Sequence, residues 1–257
     1  MDSLQIQTLK EQFIELTFSK DWKQRLCQGA YTDNELIRYC LDKSWPDAII
    51  YVRKKNTPND ITIVEHAKEI KDILFDCIIR HTWNNDFDAW HDELCQKTDF
   101  GMRYGVWQKF INIVFKYIFC INDKLENPIS VDLNQCHLPL DDNTLLWCRN
   151  KGFTTITSWN YISQEEYITI RENIQKFLES NEEIKSAVLI DFLVWRMKKI
   201  CDVLKGIKNL RDDFQGLSGF EDWFATCGFN LNDPKELLTV LDQIDKFKSY
   251  ANLINKV

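Results

Sequence analysis

The chain has 257 residues, 44% of them hydrophobic and 28% charged, a balance that excludes a disordered chain and is enough for one large folded domain. Its 8 glycines and 5 prolines are too few for a turn-rich all-β fold, while 9 tryptophans and 16 phenylalanines predict an aromatic core. A net charge of −7 argues against broad, unspecific phosphate contact, but leaves room for a local basic cleft, since Arg53-Lys54-Lys55 and Arg196-Met197-Lys198-Lys199 are clustered.

The first residues, Met1 to Gln12, show neither a basic nor an apolar leader region, which predicts no signal peptide. Residues 4–18 carry Leu4, Ile6, Leu9, Phe13, Leu16 and Phe18 as a helical stripe. Thr32 with Glu35 is a capping-box pattern ahead of Leu36, Tyr39 and Leu41. Ser44-Trp45-Pro46 reads as the start of another helix, because proline suits a first turn. Over 60–82, Ile63, Ala67, Ile70, Leu74, Cys77 and Ile78 repeat with a 3.6 period and predict one helix, followed by a short one over 86–96.

Trp107 to Ile121 is the most apolar segment, but Lys109, Asn112 and Lys116 interrupt it, so it predicts a buried central helix rather than a membrane span. Extended pieces are expected near 122–131 and 153–158. Asp141 or Asp142 should cap a helix that Gly152 stops, and Ser163 with Glu166 should open one reaching about Leu178. A long helix is expected over 183–206. After Gly206 the texture changes, and Asp233-Pro234 caps a last helix. The expected architecture is all-α: a compact multi-helix domain over 1–205 with a helical extension over 206–257 packed on it. The nine cysteines form no CxxC, which points to free thiols in a reducing cytoplasm. Cys136-His137 is the one adjacent Cys-His pair and lacks spaced partners, so no metal and no other cofactor is expected.

Two stretches carry candidate chemistry. Gly105-Val106-Trp107-Gln108-Lys109 opens the apolar helix, and Pro139-Leu140-Asp141 opens the next. Together they resemble the helix-hairpin-helix base-excision DNA glycosylases, whose G-V-G-x-K and apolar-P-V-D segments open successive helices. Trp107 stands where the family has its second glycine. The resemblance spans residues 86–150, and the long interval between the two segments is most similar to the archaeal 8-oxoguanine glycosylases. It implies the fold of that family, Lys109 as nucleophile and Asp141 as catalytic aspartate. It also implies a DNA N-glycosylase with AP-lyase activity, acting on a damaged or modified base such as 8-oxoguanine, or on a modified base in phage DNA.

The residue types suit these roles. A lysine must be neutral to attack a sugar carbon, and a first-turn position plus apolar neighbours would depress its pKa. An aspartate at a helix start ionises readily and can stabilise positive charge at the sugar. The same two residues also fit a plain surface lysine and a plain N-cap. Lys109, Asn112 and Lys116, at i, i+3 and i+7, are expected on one face, either a solvent strip or a cleft wall. An extruded base needs flanking walls, for which Trp107, Phe192 and Trp195 are candidates; each also fits the core. Gln108 is a candidate for a base edge. His137 is a candidate contact or a structural hydrogen-bonder, and His91 is expected to be structural.

Two further readings stay open. A nucleoside N-glycosidase would suit the acidic charge and would show no salt-sensitive DNA affinity. A non-catalytic helical protein, a regulator or phage-defence component, would use the region from Gly206 to bind a protein partner. In it, Lys109 and Asp141 should not face one cleft.

Overall fold

The computed structural model describes residues 3–50, 58–82, 86–97, 99–129, 136–182, 184–195 and 198. The extension over 206–257, the capped helix after Asp233, Cys201 and Cys227, and most of the two basic clusters lie outside the described residues. What is described is all-helical, with no strand among the described residues. In chain order the helices are α1 (Ser3–Thr17), α2 (Lys20–Gln28), α3 (Asp33–Ala48), α4 (Pro58–Glu65), α5 (Ala67–Ile79), α6 (Phe87–Cys95), α7 (Tyr104–Ile121), α8 (Asp142–Asn150) and α9 (Gln164–Ser180). Residues 187–195 are helical as well. Among the described residues no helix is long and apolar enough to cross a membrane.

Local chemistry explains most of the boundaries. Thr32 and Glu35 close a capping box at α3, and Ser163 and Glu166 close another at α9, each side chain bonding the other's backbone N–H. Asp86 caps α6 by accepting from Ala89 N–H. α2 has no buried residue, so no apolar stripe marks it in the sequence; Ser19 caps its start and Gly29 ends it.

Four expectations need correction. Pro46 does not begin a helix; it sits inside α3 near its end, where a missing N–H disrupts little of the remaining ladder, and the Ser44 hydroxyl donates back to Cys40 O at 2.7 Å. The stretch 60–82 is two helices, broken at His66 (φ −94°, ψ 14°). There the imidazole Nδ1 lies 2.8 Å from the Glu69 carboxylate, and the Phe100 ring lies on it at 4.9 Å. Asn122–Lys124 forms a 3-10 turn rather than an extended piece. The helix expected from 183 begins at 187, with Ser186 O accepting from Leu189 and Ile190 N–H.

α7 is the hub. It packs against α1, α3, α6, α9 and the 3-10 turn Trp159–Tyr161. Every residue from Gly105 to Ile121 except Ile113 is buried. The close approach to the 159–161 turn depends on Gly105, where a Cβ would lie 2.2 Å from Trp159 O. Around this helix the core is aromatic, with Phe13 edge-on to Tyr117 and Phe192, and Phe87 edge-on to Phe115.

Candidate active site

α7 presents a stripe of Lys109, Ile113, Lys116 and Tyr117, spaced i, i+4, i+7 and i+8. The stripe lines a cavity of about 380 Å³, closed on other sides by Phe13, Asp47, Asp141, Asp191, Trp195 and Lys198 among others. The cavity thus brings Lys109 and Asp141 together.

Lys109 is 5% exposed. Its Nζ donates to the carbonyl oxygen of Asp47 at 2.8 Å, in the last turn of α3, and lies 4.0 Å from the Trp159 ring centre. Both contacts favour the ammonium form. Burial works against it and prevails, holding the amine below the ordinary lysine range; the Asp141 charge is the largest opposing influence. The helix starts at Tyr104, so Lys109 sits in its second turn, not its first. Desolvation, rather than the helix macrodipole, therefore depresses the amine.

Asp141 is the N-cap of α8. Its Oδ1 accepts from Asn143 N–H at 2.8 Å and from Thr144 N–H at 2.9 Å. Its own N–H donates to Thr144 Oγ1 at 2.8 Å, and that hydroxyl donates to Pro139 O at 2.6 Å. Both cap bonds fall on Oδ1, leaving Oδ2 outside the cap. Asp141 is therefore a cap and a cavity-lining carboxylate at once.

The cavity wall also holds an ion pair. Lys116 Nζ lies 2.7 Å from Asp191 Oδ2, with side chains 6% and 7% exposed. The contact is out of hydrogen-bond alignment, so the pairing is one of charge. Rings of Phe13, Phe192 and Trp195 stand 4.7, 4.9 and 5.5 Å from the amine. Burial pushes the Asp191 carboxyl upward against the pull of Lys116. Reading the sequence alone misses Asp191 and Phe13 as cavity residues. For Asp191 a signal exists: it is the one charged residue in the apolar run from Ala187 to Trp195. Trp195 lines the cavity, whereas Phe192 is buried behind it and packs on Phe13.

The remaining candidates lie elsewhere. Asn112 does not join Lys109 and Lys116 at the cavity. It lies only about 40° around the helix from Lys116 at about 100° per residue, but it is not among the cavity-lining residues, and its amide donates to Tyr167 Oη at 2.9 Å and to Gln108 Oε1 at 3.3 Å. Gln108 is fully buried and bonds the backbone of Gly105 and Leu140. Trp107 is core, its indole N–H donating to Lys97 O at 2.8 Å. His137 bonds Tyr167 Oη at 3.1 Å and the Asp88 carboxylate at 2.7 Å, and it lines a separate groove of about 560 Å³ with Arg171. His91 packs on it with ring centres 4.4 Å apart. Burial is the main force holding the His91 imidazole down to about 3, so it stays neutral. Among the described residues, no three His, Cys, Asp or Glu side chains are grouped to hold a metal ion.

The chain matches no protein-family model, no curated protein and no solved structure.

Proposed function

We propose that the chain is a DNA N-glycosylase with lyase activity, in which Lys109 is the nucleophile and Asp141 the assisting carboxylate. The observation that carries this reading is the shared cavity: a desolvated amine from α7 and a carboxylate from the start of α8 border one hollow of about 380 Å³. That volume lies within the range of about 300–1,000 Å³ typical of small-ligand sites. An extruded base would meet Trp195 and Phe13 as apolar walls. On the cavity wall, the Lys116–Asp191 pair offers a donor beside an acceptor, which suits a base edge carrying a carbonyl next to an N–H, as in an oxidised purine.

In the reaction, the neutral Lys109 amine attacks C1′ of the deoxyribose. The C1′–N bond breaks, its electron pair leaving with the base, which takes up a proton. The nitrogen lone pair then forms the C1′=N bond as the ring C1′–O bond breaks, its electron pair leaving on the ring oxygen, which takes up a proton and becomes a hydroxyl; loss of a C2′ proton from this protonated imine to a base expels the 3′-phosphate. The Asp141 carboxylate stabilises the positive character that develops at C1′. Lys109 is released for attack by parting from Asp47 O and losing a proton, which burial favours.

The test is borohydride trapping on duplex oligonucleotides carrying single damaged bases, with Lys109→Gln in parallel. A covalent protein–DNA adduct is expected, and its loss in the variant; trapping that survives the substitution rejects Lys109 as nucleophile. A second reading, hydrolysis of free nucleosides, is favoured by the cavity's charge: four aspartates (Asp47, Asp141, Asp142 and Asp191) outnumber its three lysines (Lys109, Lys116 and Lys198), so it offers no net attraction to a phosphate backbone. Base release from free nucleosides without any DNA adduct would select it.

A further inference from the structure

Gln108 immediately precedes Lys109, and Leu140 immediately precedes Asp141. The side chain of the first holds the backbone of the second by both of its polar groups. Gln108 Nε2 donates to Leu140 O at 3.0 Å and to Gly105 O at 2.9 Å. Gln108 Oε1 accepts from Leu140 N–H at 3.1 Å and from the Asn112 amide at 3.3 Å. This orientation of the amide is the only consistent one, because the flipped amide would set its oxygen against two carbonyls and its nitrogen against two donors. The residue is 0% exposed and is not among those lining the cavity.

Resting on the glycosylase reading above, we propose that Gln108 is a positioning residue: its two-point hold on Leu140 sets the separation of the Lys109 amine from the Asp141 carboxylate. The hold acts on the residue adjacent to each reactive group, so there is little chain between the clamp and the chemistry to absorb an error. Leu138 and Leu140 pack in the same core as α7, but that apolar contact carries no direction, whereas the Gln108 bonds do. The Asp141 cap bonds run to α8, and the Thr144 hydroxyl bonds Pro139 O, so they brace 139–144 internally rather than against the lysine helix. Asn112 and Tyr167 support the clamp from behind, Asn112 donating to both Gln108 and Tyr167. A base-contacting role for Gln108 is displaced by this arrangement, since all its donors and acceptors are engaged by protein groups.

Two substitutions test the assignment. Gln108→Met keeps the volume and removes every hydrogen bond. Gln108→Glu keeps the shape and, when protonated, again offers one donor and one acceptor to Leu140. Two readouts are taken on the full chain: titration of the Lys109 amine by NMR of ε-13C-lysine, assigned with Lys109→Arg, and the single-turnover rate of adduct trapping. In Q108M the amine should titrate at lower pH than in the parent, as the Asp141 charge withdraws, and trapping should slow by about 10²-fold, the penalty of roughly 1 Å of misplacement, with DNA affinity unchanged. Q108E, compared with the parent at each pH, should approach the parent's rate and Lys109 titration as its carboxyl protonates, whereas a purely structural role would leave the Lys109 titration of the folded variant like the parent's throughout. A Q108M chain whose Lys109 titrates as in the parent overturns the assignment. If the parent chain traps no DNA at all, the glycosylase reading fails while the titration still decides the role of Gln108. If Q108M does not fold, the pH response of the Lys109 signal in Q108E decides it.

Discussion

The two polar sides of α7 obey different rules. On one side Gln108 and Asn112 are fully buried and bonded to Leu140, Gly105 and Tyr167, and the bonding continues through His137 to Asp88 near the surface. On the other side Lys109 and Lys116 are nearly as buried, yet they border open space with Asp141 and Asp191. The first arrangement is a polar network bonded within the protein except at Asn112 Oδ1, the kind that fixes a unique packing. The second keeps nearly buried charges at the edge of a hollow with only partial compensation, which costs stability and is a mark of functional sites. Burial of a polar residue is therefore not what separates framework from chemistry; what matters is whether protein groups or a cavity face its polar atoms.

The largest test of this contrast concerns the ion pair. Asp191→Leu alone leaves the Lys116 charge buried without its partner and should destabilise the chain by roughly 4 kcal/mol, whereas the double variant with Lys116→Met should recover most of that loss. Chemical denaturation of the three proteins checks it. A double variant as unstable as the single would mean that the pair is framework, like the Gln108–Asn112 side.

The next effect belongs to the closed side. Gly105→Ala forces a methyl group to within 2.2 Å of Trp159 O, a backbone atom that cannot rotate away. We expect a loss of about 3 kcal/mol, read as a fall in melting temperature. Retained stability would show that the 159–161 turn yields easily.

The effect smallest per step of the variable changed separates the sides by pH. His91, held down to about 3, stays neutral in the folded chain, while in the unfolded chain it takes a proton below about 6.5. The unfolded state then binds more protons, so stability should decline by roughly 1.4 kcal/mol per pH unit from about pH 6.5 toward 3. His137, also lowered by burial, adds in the same direction. Denaturation midpoints at several pH values would show this slope, and His91→Gln should flatten it. The cavity side responds in the opposite range: trapping should gain rate as pH rises toward the depressed titration of Lys109, below the ordinary lysine region.

Features set by close neighbours along the chain are legible in the sequence alone. The boxes at Thr32 and Ser163 and the cap at Asp141 are written in residues three apart, and α7 announces its burial by being apolar nearly all round. Pro46 misleads because a proline near the end of one helix resembles a proline opening another. The break at His66 is invisible because the apolar period runs through it; a distant ring, Phe100, occupies the break. Lys109 and Asp141 are legible as a pair by resemblance. Asp191 is easily overlooked because its partner, Lys116, lies far away in sequence. The role of Gln108 is unreadable for a deeper reason: its partner is the Leu140 backbone, which any residue but proline supplies alike.

Encirclement of α7 has a consequence for how the chain comes apart. Its amide protons are sheltered on nearly every side, so they should exchange with solvent deuterium only when the whole molecule opens, while α2, with no buried residue, frays first. The amine that performs the proposed chemistry is thereby mounted on the last element to lose its order, and partial unfolding at the periphery would leave it in place.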